Sequence, residues 1–122
     1  MPRDLNALPK AHLHLHFTGS MSIATLRTLS EWAGIVLHES LVDTEGLLVP
    51  PDQRGWFRFQ RLYDMARQSV CSEAALRLVV AQAARDDAGE GSRRLELQVD
   101  PSSYAPHVGG MPAALEIILD EA

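Results

Sequence analysis

Cysteine is almost missing: Cys71 is the only one in 122 residues, which excludes an intramolecular disulfide, a cysteine-based zinc site and a CxxC redox motif. Such usage suits a reducing compartment, and the expected location is the cytoplasm. Long hydrophobic runs are missing as well. The amino end, Met1-Pro2-Arg3-Asp4-Leu5-Asn6, has no apolar core of the signal-peptide kind, and no stretch nears the ~20 apolar residues of a membrane span. Blocks of like charge are also wanting. The net charge is −5 with acids and bases interspersed, so the surface is neither a phosphate-backbone reader nor a polybasic membrane patch. There is no internal repeat and no low-complexity segment. What remains, 46% hydrophobic and 22% charged residues, is ordinary for one globular domain with a real core.

Histidine is concentrated instead. Three of the five histidines alternate in His12-Leu13-His14-Leu15-His16, and a period of two places all three imidazoles on one face of a strand, with Leu13, Leu15 and Phe17 on the other. The strand is expected over Lys10 to Phe17, its apolar face covered by helices. Thr18-Gly19-Ser20 follows, where Gly19 can take a tight or positive-φ turn. The histidines therefore sit at the carboxyl end of the strand, where parallel α/β folds build their active sites. Neutral imidazole is the commonest metal ligand, and two at i and i+2 can reach one ion. The other ligands have to come from elsewhere in the fold. A lone histidine would read as a hydrogen-bonded interior residue; three alternating at a strand end read as a metal site.

Further along, Ile23, Leu26, Leu29 and Ala33 recur at helical spacing, with Ser22 as N-cap and Gly34 to end the helix. Residues 35 to 54 hold Gly46, Pro50, Pro51 and Asp52 with no sustained period, which suits a lid, a binding loop or an insertion. A second helix is expected from Gly55 to Val70, with Trp56, Phe59, Leu62 or Tyr63, Ala66 and Val70 on one side. A third follows N-cap Ser72 and carries Leu76, Val79, Val80, Ala83 and Ala84, ending near Gly89 and Gly91. Arg94 to Val99 alternates again, placing Leu95, Leu97 and Val99 on one face of a second strand closed by Asp100-Pro101. A loop with His107, Gly109 and Gly110 leads to a helix opened by Pro112 and carrying Leu115, Ile118 and Leu119. Its apolar stripe runs to Ala122 without a cap, which reads as a cut chain. The order is the start of a βα series, with the two strands expected to be parallel and adjacent.

The segment Leu8-Pro9-Lys10-Ala11-His12-Leu13-His14-Leu15-His16-Phe17-Thr18-Gly19-Ser20 resembles the amino-terminal metal motif of the adenosine deaminase family, His-x-His-x-(Asp, Glu or Thr)-Gly after a Pro-Lys. Register against Gly19 implies that His14 and His16 are the zinc ligands, His12 being a supporting or interior residue. The resemblance makes His16 and Thr18 substrate contacts too. Thr18 stands where adenosine-specific members carry an aspartate to the ribose, a departure that bears on nucleoside specificity. The helix at Gly55 to Val70 resembles the segment over the purine pocket, with Phe59, Leu62 and Tyr63 as pocket residues. Leu95 to Pro101 resembles the second barrel strand and Pro112 to Ala122 the helix after it.

The resemblance implies a (β/α)8 barrel, which needs about 250 residues, and thus that residues 1–122 are the amino-terminal portion of one, truncated, with the third zinc histidine and the acid–base residues lying beyond Ala122. In a complete relative zinc lowers the pKa of a water that attacks the purine carbon bearing the amino group, and ammonia leaves. The implied ligand is a purine nucleoside or related amine, and the implied class is a zinc-dependent hydrolase whose first two ligands lie in this chain, inactive by itself. Alternatives are another His-x-His barrel hydrolase such as a phosphoesterase, or a non-catalytic remnant serving as an interaction surface. Unpartnered helix faces predict self-association. His38 and His107 are expected in surface or turn roles.

Overall fold

The computed structural model describes residues 1–43 and 51–122. Two alternating segments become strands, β1 (Lys10–His16) and β2 (Ser92–Gln98), which pair in parallel as a two-stranded sheet. Among the described residues the rest is helix and turn: α1 (Ile23–Ala33), α2 (Glu39–Val42), α3 (Gln53–Gln68), α4 (Glu73–Gly89), α5 (Ala105–Val108) and α6 (Met111–Glu121). The architecture is α/β; among the described residues four helices lie between the two strands, the three that the periodic segments predict and the short α2 in the stretch expected to be irregular. No helix among the described residues is long and apolar enough to cross a membrane.

Helix ends follow local chemistry. The Ser22 hydroxyl accepts from Thr25 N and the Ser72 hydroxyl from Ala75 N, satisfying amide groups that the first turn leaves unpaired. Gly34 ends α1 in the left-handed region at φ 66°, a conformation that carries no Cβ penalty for glycine. Asp52 caps α3 through Gly55 N at 2.7 Å. The segment expected to be irregular holds more order than its sequence shows. His38 caps the short α2, its Nδ1 accepting from Ser40 N at 3.1 Å, while the lid or loop reading of Gly46 and Pro50 falls on residues outside the described ones. Likewise the expected loop around His107 contains a 3-10 turn at Pro101–Ser103 and the helix α5, with His107 exposed.

The core lies on one face of the sheet. Phe17, Leu29, Val70, Leu76, Val79, Tyr104, Ala114 and Ile118 are buried together, with Leu97 and Val99 of the β2 segment against them. A smaller cluster joins Leu26, Leu41, Leu62 and Ala66 under α1, α2 and α3. In α6 the stripe is narrower than expected: Ala114 and Ile118 face α4, but Leu119 is 73% exposed and Leu115 is also exposed. Arg77 of α4 ties down the end of α6 through Asp120 at 2.8 Å and Glu121 at 3.3 Å. Among the described residues no helix covers the opposite face of the sheet, and His14, His16, Glu96 and Gln98 there are exposed.

Candidate functional site

The strand that carries the histidines is not regular. From His12 to Leu15 the chain advances three residues while its partner advances two, Leu95 to Leu97, so β1 holds a bulge. His14 takes the extra step at φ 65°, the only non-glycine residue with positive φ among those described. The consequence corrects the expected single histidine face. His12, paired with Leu95, shares the helix-covered side with Leu15, whereas His14 and His16 stand on the open side. Leu13, expected on the buried face, is 58% exposed. The turn after the strand is a 3-10 turn, Thr18–Ser20, and Gly19 is not among the positive-φ glycines, so the special backbone sits inside the strand rather than after it.

On the helix side His12, its side chain 45% exposed, meets a partner. Its Nδ1–H donates to Asp87 Oδ1 of α4 at 2.7 Å. The Asp87 side chain is nearly buried, and its Oδ2 has no hydrogen-bond partner. Its carboxyl is held below the ordinary carboxylate range, first by the Ser92 hydroxyl and then by His12, against the opposing pull of burial. The bulge has a cost, and the Asp87 contact opposes it. Left-handed backbone costs a non-glycine residue about 1–2 kcal/mol, and the unburied Leu13 forgoes about 1.5–3 kcal/mol. A regular strand would recover both but turn His12 away and remove its hydrogen bond to the Asp87 carboxylate, a part-buried contact worth about 1.5–3 kcal/mol. The Asp87 contact therefore offsets part of what the bulge costs.

On the open side the His14 and His16 rings lie edge to face, centroids 5.1 Å apart. Two adjacent imidazoles facing away from the core suit two ligands of one borderline cation such as zinc. Among the described residues no group of three or more His, Cys, Asp or Glu could hold a metal, so the pair fits as part of a ligand set and no more. Of the other histidines, His12 is engaged with Asp87 and His38 with the α2 backbone.

The pair opens into a cleft of about 660 Å³ at the carboxyl ends of both strands. Thr18 and His16 line it from β1 and its turn; Phe59 and Tyr63 line it from α3, their ring centroids 5.8 Å apart. Leu62 does not reach it. One residue before Tyr63 on a helix means about 100° of rotation, and this turns Leu62 into the cluster with Leu26, Leu41 and Ala66. Three features of the cleft escape the periodicity reading. The Tyr104 hydroxyl hydrogen-bonds Thr18 Oγ1 at 2.6 Å, its ring packed edge to face on Phe17 at 5.4 Å, and burial pushes the phenol above its ordinary pKa while the Thr18 bond opposes that. Arg67 lies over the Tyr63 ring at 5.2 Å and reaches Ser103 Oγ at 3.4 Å. Asp100, the residue closing β2, is held ionised chiefly by the backbone and side chain of Ser102. The position of Asp100 just past a strand end was the available signal; Tyr104 and Arg67 had none, being set by tertiary approach.

Comparison with known proteins agrees with this placement. The adenosine deaminase family matches residues 9–121. A putative adenosine/adenine deaminase of Streptomyces coelicolor is 52% identical over 97% of the chain and 36% of its own length, and one of Streptomyces virginiae is 54% identical over 97% and 35%. An adenosine deaminase of Streptococcus mutans is 32% identical over 83% of the chain and 29% of its own. The chain spans about a third of the length of the curated relatives it matches. With the His14 and His16 motif at the end of the first of two parallel strands, and a family match along nearly all of its length, the chain belongs to the adenosine deaminase family.

Proposed function

We propose that this chain supplies the first two metal ligands, His14 and His16, and one wall of the substrate pocket in a zinc-dependent deaminase acting on adenosine or a related 6-aminopurine. The carrying observation is the juxtaposition of the His14–His16 pair with the Phe59–Tyr63 wall in one cleft at the carboxyl ends of two parallel strands. That arrangement is how a (β/α)8 barrel builds a site, and residues 1–122 correspond on this reading to its amino-terminal portion. Zinc, when bound, would act as a Lewis acid and lower the pKa of a water molecule, the chemistry that hydrolytic loss of an amino group requires.

The chain's own residues have simpler tasks. His14 and His16 would hold the ion in their neutral form, their spacing of two placing both rings on the same side. Phe59 and Tyr63 offer ring faces to a planar base and exclude water from one side of it. Thr18 is held by Tyr104 and can share its remaining hydrogen-bonding capacity with a ligand; two hydroxyls that spend one proton on each other keep one more to donate. With two ligands, the chain by itself is inactive.

The test is a chimera in which residues 1–122 replace the matching segment of the Streptomyces coelicolor relative. Zinc-dependent ammonia release from adenosine or adenine is expected, lost on replacing His14 and His16 by Ala. A folded, zinc-loaded chimera that releases no ammonia from either purine would count against the deaminase reading.

A further inference from the structure

We propose that Asp87 is a positioning residue for the candidate metal pair: by holding His12 under α4 it fixes the β1 bulge, and so decides which histidines face the open side. This rests on the metal reading of His14 and His16. Three observations meet here. His12 Nδ1 and Asp87 Oδ1 are 2.7 Å apart across the sheet–helix boundary. The pairing slips by one residue directly after His12, in the step that carries His14 into the left-handed region. Asp87 is nearly buried with Oδ2 unpartnered, and besides His12 the hydroxyl of Ser92, at the start of β2, acts on its carboxylate.

A one-residue slip reverses the facing of every side chain beyond it. In a regular strand with Leu15 and Phe17 against the helices, His12 would join His14 and His16 on the open face and Leu13 would return to the core. The chain therefore has two competing registers, one presenting two imidazoles and the other three. Asp87 is the group that distinguishes them. Its removal should release His12 and relax His14 to an extended conformation, so that the open face gains a third nitrogen donor.

The experiment needs no substrate. The HN–Hα scalar coupling of His14 reads its φ directly, and the imidazole resonances show which rings meet added zinc. In the unsubstituted chain the coupling should report left-handed backbone, and zinc should shift the rings of His14 and His16 but not His12. Asp87→Leu should move the coupling to the extended-strand value and bring the His12 ring into the zinc response. His12→Phe approaches the same contact from the more exposed side and should change the His14 coupling alike, whereas Asp87→Asn, which keeps an acceptor oxygen, should retain the unsubstituted value. A left-handed His14 in both Asp87→Leu and His12→Phe overturns the proposal, whatever zinc does. Failure of zinc to shift either His14 or His16 in the unsubstituted chain counts against the metal reading instead, since the coupling still reports on Asp87.

Discussion

Each imidazole in the His12–His16 segment has a distinct environment, and these differences translate into measurable effects. His14 and His16 face each other with their rings 5.1 Å apart, while His12 is bound to Asp87. Calorimetric zinc titration should therefore show binding lost in the His14→Ala/His16→Ala double variant and weakened by either single change by at least the roughly tenfold that losing a mere supporting partner costs. His12→Ala should cost less, and a loss equal to that of His14→Ala would overturn the ligand assignment. Asp87 also predicts a pH dependence. Because its carboxyl is lower in the folded chain than in the unfolded one, its contribution is present above the unfolded value of about 3.9 and fades as pH falls through the folded value. Urea unfolding of the unsubstituted chain and Asp87→Asn should differ most near pH 6 and converge toward pH 2. A gap that widens on acidification would reverse the sign of the assignment.

The helices α1, α3 and α4 have side-chain caps as well as buried apolar residues, and the two contributions can be tested separately. Ser72 accepts from Ala75 N at 3.1 Å at the start of α4, so Ser72→Ala should destabilise by about 1 kcal/mol. Leu76 and Val79, one turn inside the same helix, are 1% exposed and lie in the main cluster. Leu76→Ala should cost about 2–5 kcal/mol, a large part of the stability of a small domain. Denaturant midpoints measured on both variants give the comparison, and a Ser72→Ala loss as large as that of Leu76→Ala would mean that α4 depends on its cap rather than its packing. On α3 the two faces divide cleanly: Phe59 and Tyr63 line the cleft, and Leu62 and Ala66 line the second cluster. The amphipathic period predicts the existence of such a division, yet leaves open whether Leu62 or Tyr63 turns to the cleft, because the two are adjacent.

The molecule as a whole is a sheet of two strands with helices on one face and an open surface on the other. Parallel strands are ordinarily covered on both faces, and here Leu13, Trp56, Phe57 and Leu119 are 58%, 57%, 60% and 73% exposed. Exposed apolar area of this kind favours association. Sedimentation velocity on the 122-residue chain should show concentration-dependent self-association, reduced by Leu13→Lys on the open strand. A strictly monomeric chain at high concentration would argue that these side chains are too scattered to form a patch. The same chain, with zinc added, should release no ammonia from adenosine, since two ligands do not assemble the site. Turnover by a monodisperse chain would mean that further ligands are present, with His38 and His107 the first to re-examine.

Periodicity and caps are local properties, which is why β1, α1, α3, α4, β2 and α6 were legible from residue order: side chains at fixed spacing, with Ser22, Ser72 and Gly34 at the ends, suffice to define an element. The pairing of His14 with His16, two positions apart, was legible for the same reason. Local pattern failed at His12 and Leu13. Alternation assumes an unbroken strand, and the break lies directly after His12, whose partner Asp87 is 75 residues away on α4. Leu62, Arg67 and Tyr104 belong with them, since a place in a cleft or a core is set by how helices approach the sheet. Spacing along the chain orders side chains on one element; only packing between elements selects the face that meets a ligand.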